Sequence, residues 1–376
     1  MADEISVLIV DDSALMRNLI SRMVEATPGL TVADKAMNGL FALQKIPRCN
    51  PDAIVLDLEM PEMNGIEFLK ERKKQGITIP VVILSSIARR GAEITMEALA
   101  LGASDFIMKP SGSVSEDIAT VKDTLTSLLL AYGGQYRRSQ GKKVLLPSEY
   151  AKKPEAVAAL ESVLHKPAVP AGPAKPPTPI RKPGNTEIIA IGISTGGPDA
   201  LRVVFANLDA DLKQPILVVQ HMPAGFTLEF AKSLDRLCPL EVKEAEEGDL
   251  IRPGRVLIAP GNKHIEVERK SLASIIHLSD APPVNGHRPS ADVLFASVAM
   301  AYTNHVLGVI MTGMGRDGAQ QLGTIYKEGG MTLGQDEGTA VVYGMPRVAY
   351  ELGHVMEQVP LDKMASRICA VAKTQR

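Results

Sequence analysis

The sequence predicts an α/β protein built from two domains in tandem, and three observations carry that reading. Short apolar runs rich in β-branched residues alternate with amphipathic stretches in both halves of the 376-residue chain. A proline-rich segment separates the halves: Pro154, Pro167, Pro170, Pro173, Pro176, Pro177, Pro179 and Pro183 are spaced by Ala, Lys and Gly, a composition that sustains neither a helix nor a central strand. The length itself suits two or three domains, at roughly 100–200 residues each.

In the first half, Val7-Leu8-Ile9-Val10 reads as a strand buried on both faces. Asp12-Ser13 then offers an N-cap to a helix whose apolar residues Leu15, Leu19, Met23 and Val24 share one side. The cycle repeats. Ala53-Ile54-Val55-Leu56 precedes a helix from about Gly65, and Val81-Val82-Ile83-Leu84 one from about Gly91. Phe106-Ile107-Met108 leads to a last helix near Ile118 to Leu130. Five βα units imply a parallel five-stranded sheet wrapped by helices, a (βα)5 domain over residues 1–135, with ligands gathered at the carboxyl ends of the strands.

Residues 136–185 are expected to be linker, and residues 186–376 a second, doubly wound α/β domain. Ile188 to Ile193 and Ile216 to Gln220 read as strands, followed by helices after Pro198 and from about Thr227. From Val256 to Leu278, three short runs separated by Pro260-Gly261-Asn262 and Arg269-Lys270 suggest an antiparallel β-hairpin insertion. Val306 to Met311 returns to a buried strand, with His305 at its start, and leads into Gly313-Met314-Gly315.

Composition excludes several classes of function. With 41 basic and 43 acidic side chains, a formal charge of −2, there is no electrostatic footprint for nucleic acid or an anionic membrane. Cys49, Cys238 and Cys369 are scattered and follow neither a disulfide nor a metal-ligand spacing, which suits a reducing, cytoplasmic setting. The acidic start Met1-Ala2-Asp3-Glu4 is not a signal peptide, and no run approaches the ~18 apolar residues that insert into a bilayer.

Chemistry-bearing residues cluster at the predicted strand ends. Asp11 and Asp12 follow the first strand, Asp57 the third, Ser85 the fourth and Lys109 the fifth. Gathered carboxylates bind a hard cation such as Mg²⁺. A carboxylate held between that metal and a lysine is suited to accept a phosphoryl group. Val10-Asp11-Asp12-Ser13, the run Leu56 to Gly65, Leu84-Ser85-Ser86 and Lys109-Pro110 together resemble the signature of response-regulator receiver domains over about residues 5–130. The resemblance implies that Asp57 is the phosphoacceptor, that Asp11 and Asp12 help hold Mg²⁺, and that Lys109 contacts the phosphoryl group. It also implies Ser85 as the switch hydroxyl and Phe106 as the aromatic that moves with it.

In the second half, Gly192-Ile193-Ser194-Thr195-Gly196 places a serine between a strand and a helix, where a sharp turn exposes the hydroxyl. Such a turn also suits a helix cap or an anion at a helix N-terminus. His221 follows the strand ending at Gln220, and Asp317 lies in Thr312-Gly313-Met314-Gly315-Arg316-Asp317-Gly318, again after a strand. One cleft could hold all three, giving the nucleophile, base and orienting acid of acyl transfer. The amides of Thr195 and Met314 would support the oxyanion. The chain order Ser, His, Asp differs from the Ser, Asp, His of α/β-hydrolases.

These segments, with His287-Arg288-Pro289-Ser290-Ala291-Asp292 and Val342-Tyr343-Gly344-Met345-Pro346, resemble the CheB family of chemotaxis protein-glutamate methylesterases. With the receiver ahead, the likeness spans nearly the whole chain. It implies Ser194 as nucleophile, His221 as base and Asp317 as its orienter, acting on glutamyl methyl esters and glutamines of chemoreceptors. A histidine kinase would donate phosphate, the unphosphorylated receiver would cover the catalytic cleft, and ester hydrolysis would need no cofactor. The sequence departs from the family at Gln321, where a glycine is usual, and in its long linker. A phosphorylation-dependent adaptor without turnover is one alternative. A nucleotide-phosphate loop at Ser194-Thr195-Gly196-Gly197 is another, although the P-loop lysine is missing. Oligomeric state stays open, with a monomer compatible.

Overall fold

A computed structural model describes residues 4–85, 89–109, 115–143, 176–271 and 273–374. Ser86, Pro110, His165 and the linker prolines from Pro154 to Pro173 lie outside the described residues. The chain divides into two compact units at Val169/Pro170.

The first unit is a parallel five-stranded sheet of β1 (Ile5–Val10), β2 (Leu30–Ala36), β3 (Ala53–Asp57), β4 (Val81–Ser85) and β5 (Asp105–Met108), in the order β2-β1-β3-β4-β5. Helices α1 (Ala14–Glu25), α2 (Gly39–Cys49), α3 (Gly65–Lys74), α4 (Arg89–Ala100) and α5 (Ser115–Ser139) connect and follow the strands. β3 and β4 are buried throughout, as their unbroken apolar runs require. The strand order reverses between β1 and β3, so a crevice opens at their carboxyl ends.

Of the Asp12-Ser13 pair, Ser13 caps α1 through its hydroxyl. Two expectations change. Leu15, expected on the apolar side of α1, is 80% exposed while Ile20, Met23 and Val24 form the buried face. α5 also runs past residue 130 to Ser139. Its last turn carries Arg137, buried and paired with Asp52 at 2.8 Å; Asp52 also takes Lys142 at 3.2 Å and the Ser6 amide at 3.0 Å. Residues 136–143, expected as linker, are thereby pinned to this unit.

The second unit centres on seven parallel strands: β6 (Ile188–Ile193), β7 (Ile216–Gln220), β8 (Glu241–Glu244), β9 (Arg255–Ile258), β12 (Val306–Ile310), β13 (Met331–Gln335) and β14 (Glu357–Val359), in the order β14-β13-β12-β6-β7-β9-β8. β10 (His264–Arg269) and β11 (Ser274–Ser279) form the separate antiparallel hairpin. The run at Val256 is therefore not part of that hairpin: β9 joins the main sheet beside β7. Helices α6 (Gly197–Phe205), α7 (Phe226–Asp235), α8 (Ala291–Tyr302), α9 (Ala319–Glu328), α10 (Met345–Glu351) and α11 (Leu361–Lys373) cover it.

Leu294, Phe295 and Val298 of α8 seat on β6 and β12 and are fully buried. Each such side chain contributes on the order of 1.5–3 kcal/mol. His305 does not begin β12; it ends a 3₁₀ turn before it and bonds the Asn185 carbonyl at 2.7 Å. The Ile180 and Gly184 amides bond the Lys327 and Asn304 carbonyls, so residues 180–185, also expected as linker, attach to this unit. The strand order reverses between β6 and β12, which opens a crevice where Ser194, His221 and Asp317 follow three neighbouring strands.

Candidate functional site

In the first unit the crevice is acidic, with Lys109 as its cation among the described residues. Asp57 Oδ2 lies 2.6 Å from Lys109 Nζ, and Asp11 Oδ2 lies 3.5 Å from it. Burial pushes both carboxyls above the usual carboxylate range, and the Lys109 ammonium only partly offsets that. Burial also opposes the charge on Lys109, but the hydrogen bond and charge of Asp57 outweigh it and hold the ammonium above its ordinary value. One oxygen each from Asp11, Asp12 and Asp57 falls within 4.8 Å of the others. Asp11 Oδ2 is buried and has no hydrogen-bond partner among the described residues. Three converging carboxylate oxygens, with Asp11 left carrying an unsatisfied buried oxygen, fit a hard divalent cation.

Ser85 and Asp57 line one small crevice with Glu59 and Gly91. The Ser85 hydroxyl meets Thr95 Oγ1 at 2.6 Å; Thr95 spends its own proton on the Gly91 carbonyl, so Ser85 is the donor. Phe106 is half-buried on β5, paired in register with Ile83. The five acidic, hydroxyl and ammonium groups picked out at strand ends thus meet at one end of one sheet.

In the second unit, sheet register does the gathering. Ile193 pairs with Gln220, so the next residues, Ser194 and His221, leave adjacent strands side by side. The Ser194 amide bonds the Thr312 carbonyl, and a Cβ on Gly313 would stand 2.9 Å from Ser194 Cβ. Ser194 is 8% exposed and Asp317 fully buried. His221 Nε2 meets Asp317 Oδ2 at 2.8 Å. Its other ring nitrogen, Nδ1, is buried with no hydrogen-bond partner among the described residues. Asp317 faces Nε2, so Nε2 carries the proton and Nδ1 is the free base.

Asp317 is held by more than the imidazole. Oδ1 accepts from the Ser290 hydroxyl at 2.7 Å and the Asn285 amide at 3.0 Å; Oδ2 accepts from the Ala291 amide at 2.6 Å. Burial works against its ionisation, yet the bond to His221 and these donors overcome it and hold the carboxyl below the usual range. Ser290 sits at the N-cap of α8 without capping it; the Asp317 carboxylate takes the helix amides instead.

Several groups at this site have no role that the sequence assigns, although His287 and Thr312 belong to segments that resemble the family. His287 stacks on His221 with ring centroids 3.8 Å apart and planes within 10°. Burial, then the His221 charge, pulls the His287 pKa down to about 4, so it stacks as a neutral ring at physiological pH. Gln220 is buried and donates to the carbonyls of Ser194 and His221, at 3.0 and 3.2 Å, clamping two loops together. Thr312 donates its hydroxyl to the Thr195 carbonyl at 2.9 Å and accepts from the Val342 amide at 3.0 Å. No backbone carbonyl among the described residues accepts from the Thr195 or Met314 amide, the two groups expected at the oxyanion.

Comparison with known proteins covers both units. Residues 189–368 match the CheB methylesterase family model, and residues 7–118 the response regulator receiver domain. A protein-glutamate methylesterase/protein-glutamine glutaminase of Treponema denticola is 62% identical over 368 residues, covering 97% of this chain and 98% of the relative. A protein of the same description from Treponema pallidum is 53% identical over 390 residues, covering 97% and 96%. The crystal structure of the Thermotoga maritima CheB methylesterase catalytic domain is 36% identical, covering 50% of this chain and 98% of that one, with a TM-score of 0.49.

Proposed function

The chain belongs to the CheB methylesterase family and carries a receiver domain ahead of the esterase domain; from that premise we propose that it hydrolyses glutamyl methyl esters, and deamidates glutamines, on chemoreceptors through Ser194, His221 and Asp317. The observation that carries the reading is the His221–Asp317 contact at 2.8 Å, with His221 Nδ1 buried without a hydrogen-bond partner among the described residues and Ser194 leaving the adjacent strand end.

Ser194 Oγ attacks the ester carbonyl carbon while His221 Nδ1 takes its proton. Asp317 holds the imidazole and offsets the charge of the imidazolium. The negative oxygen of the tetrahedral species lies toward the Thr195 and Met314 amides, each such donor being worth ~10²–10³ in rate. Collapse breaks the carbon–oxygen bond to the methoxy group, which leaves as methanol with the proton from Nδ1. Water, deprotonated by the same nitrogen, then cleaves the acyl-serine to glutamate and restores Ser194. With a glutamine side chain the departing group is ammonia. His221 works here through Nδ1, the reverse of the nitrogen usage in the chymotrypsin arrangement.

The receiver domain implies a kinase as phosphodonor. Asp57 takes the phosphoryl group, with Lys109 against its oxygens. Asp11, Asp12 and Asp57 would hold Mg²⁺, which when bound neutralises charge on the transferring oxygens. The acyl phosphate carries roughly −1.5 to −2 charges in place of the single charge of the carboxylate, and raises esterase activity by drawing Ser85 off Thr95. No helix among the described residues is long and apolar enough to cross a membrane; the reading places the enzyme in the cytoplasm, with no nucleic acid as partner.

Methanol release from methylated receptor, with and without a small phosphodonor, tests both domains at once. Stimulation by the donor is expected in the parent and absent in Asp57→Ala, and release is expected to vanish in Ser194→Ala. Undiminished release from Ser194→Ala would end the mechanism.

A further inference from the structure

Asn285 and Asp292 lie outside the nucleophile, base and acid assigned above, yet both converge on Asp317. The Asn285 amide nitrogen donates to two carboxylates at once, 3.0 Å to Asp317 Oδ1 and 2.7 Å to Asp292 Oδ2. The two carboxylates are further crossed over two helices. Asp317, just before α9, accepts the α8 amides of Ala291 and Asp292, at 2.6 and 3.4 Å. Asp292, in the first turn of α8, accepts the α9 amide of Gln321 at 2.9 Å.

The backbone fixes where that amide points. Asn285 and Gly286 have φ of 53° and 81°, and Val284 and His287 exchange amide bonds of 3.0 and 2.9 Å. This is a two-residue turn of the kind Asn-Gly favours. One tight turn therefore delivers an amide to Asp317 and, two residues on, the ring that lies flat on His221.

We propose that Asn285 and Asp292 are positioning residues that set the proton affinity of His221 by controlling how much of the Asp317 charge the imidazole feels. The proposal rests on the esterase reading only for its effect on rate. Among the described residues, few charged and titratable groups surround the dyad. From the end of β7 comes His221 itself, from the turn His287, from α8 Asp292, and behind Ser290 the buried His264, which accepts the Ser290 amide. The first turn of α9 supplies backbone amides, and Arg316, next to Asp317 in the chain, points to an exposed position. With His287 neutral, Asp292 is the second charge at the site, and burial raises its pKa, as does the charge of Asp317.

The test follows the His221 imidazole by ¹⁵N NMR titration in the full chain, alongside the pH dependence of kcat/KM for methanol release. Asn285→Asp keeps the turn preference but sets a third carboxylate against Asp317, and is expected to raise the His221 pKa by about one unit. Asp292→Ala removes a charge without adding a competing donor, and is expected to lower it by about half a unit. The acid limb of kcat/KM should move with the titration in both variants. Asn285→Gly, which retains the positive φ and only loses the donor, serves if Asn285→Asp does not fold, with a smaller rise expected. A residue needed only for folding would shift both variants alike or neither; that result, seen by NMR, overturns the proposal. Shifts of opposite sign in a chain that releases no methanol would uphold the proposal and sink the esterase reading.

Discussion

Replacing Asp317 by Asn separates its two duties, and the structure sets the size of each loss. The carboxylate oxygens receive four donors within 3.0 Å, from His221, Ser290, Asn285 and the Ala291 amide. An asparagine has one acceptor oxygen, so its amide nitrogen must face two of those donors. Facing His221, it forces the proton onto Nδ1, the nitrogen that receives the serine proton in the proposed reaction. Facing Ser290 and Asn285, it leaves the imidazolium without a counter-charge. Either way kcat is expected to fall by about 10⁴ with little change in KM, a loss of about 5.4 kcal/mol in transition-state stabilisation. Two lost bonds to a buried charge, at about 1.5–3 kcal/mol each, predict about 3–6 kcal/mol off the stability of this unit. Methanol release at saturating substrate, read with urea unfolding by circular dichroism, measures both, and Ser194→Ala should lose the activity while keeping the stability. A folded Asp317→Asn enzyme within tenfold of the parent kcat would refute the reasoning.

The remaining predictions concern both units. Because the Asp317 pKa is depressed, its stabilisation is present above the unfolded carboxylate pKa and is lost only as pH falls through the folded value. The stability gap between the parent and Asp317→Asn should therefore stay constant at neutral pH and close only in strong acid, as pH-dependent urea melts would show. Mg²⁺ should raise the thermal transition of the receiver unit, and Asp11→Asn should abolish that response. Since the Asp11 pKa is raised, its ionisation costs stability above the unfolded pKa, so metal-free Asp11→Asn should melt higher than the parent at pH 7. Arg137→Ala strips the buried Asp52 of its 2.8 Å partner and should lower the receiver transition by about 3 kcal/mol while leaving the esterase unit unmoved in calorimetry. Gly197→Ala would set a methyl 1.9 Å from Gln220 Oε1. Displacing that side chain breaks its hold on the Ser194 and His221 carbonyls, so kcat should drop at least about tenfold at a stability loss of about 1–3 kcal/mol.

What a sequence reveals here follows from where each signal lives. The runs Val7–Val10 of β1, Ala53–Leu56 of β3, Val81–Leu84 of β4 and Ile188–Ile193 of β6 are apolar without interruption because both faces are covered, and that pattern is local. The strand-end positions of Asp57, Lys109, Ser194 and His221 follow from the same runs. β2 is different: it is the sheet edge, half-exposed through Thr31, Asp34 and Lys35, and nothing in its composition demands a strand. In sequence β9 goes with the hairpin as readily as with the main sheet, because Val256-Leu257-Ile258 fits either neighbour and only the tertiary pairing with β7 decides. Leu15 illustrates the limit of helical periodicity, since one turn of α1 stands clear of the sheet. The Asn285–Asp317 bond spans 32 residues, and the Asn-Gly pair announces only a turn, never what the turn touches. The stacking of His287 on His221 has the same origin in long-range packing.

The crossed carboxylates bear on how this scaffold can diverge. An acid that serves only chemistry is free to drift once the chemistry is dispensable; this one also terminates a helix, so drift at position 317 is policed by folding as well as by turnover. Descendants that abandoned hydrolysis would be expected to keep the aspartate long after the serine had gone, and its survival in a distant homologue would testify to architecture alone.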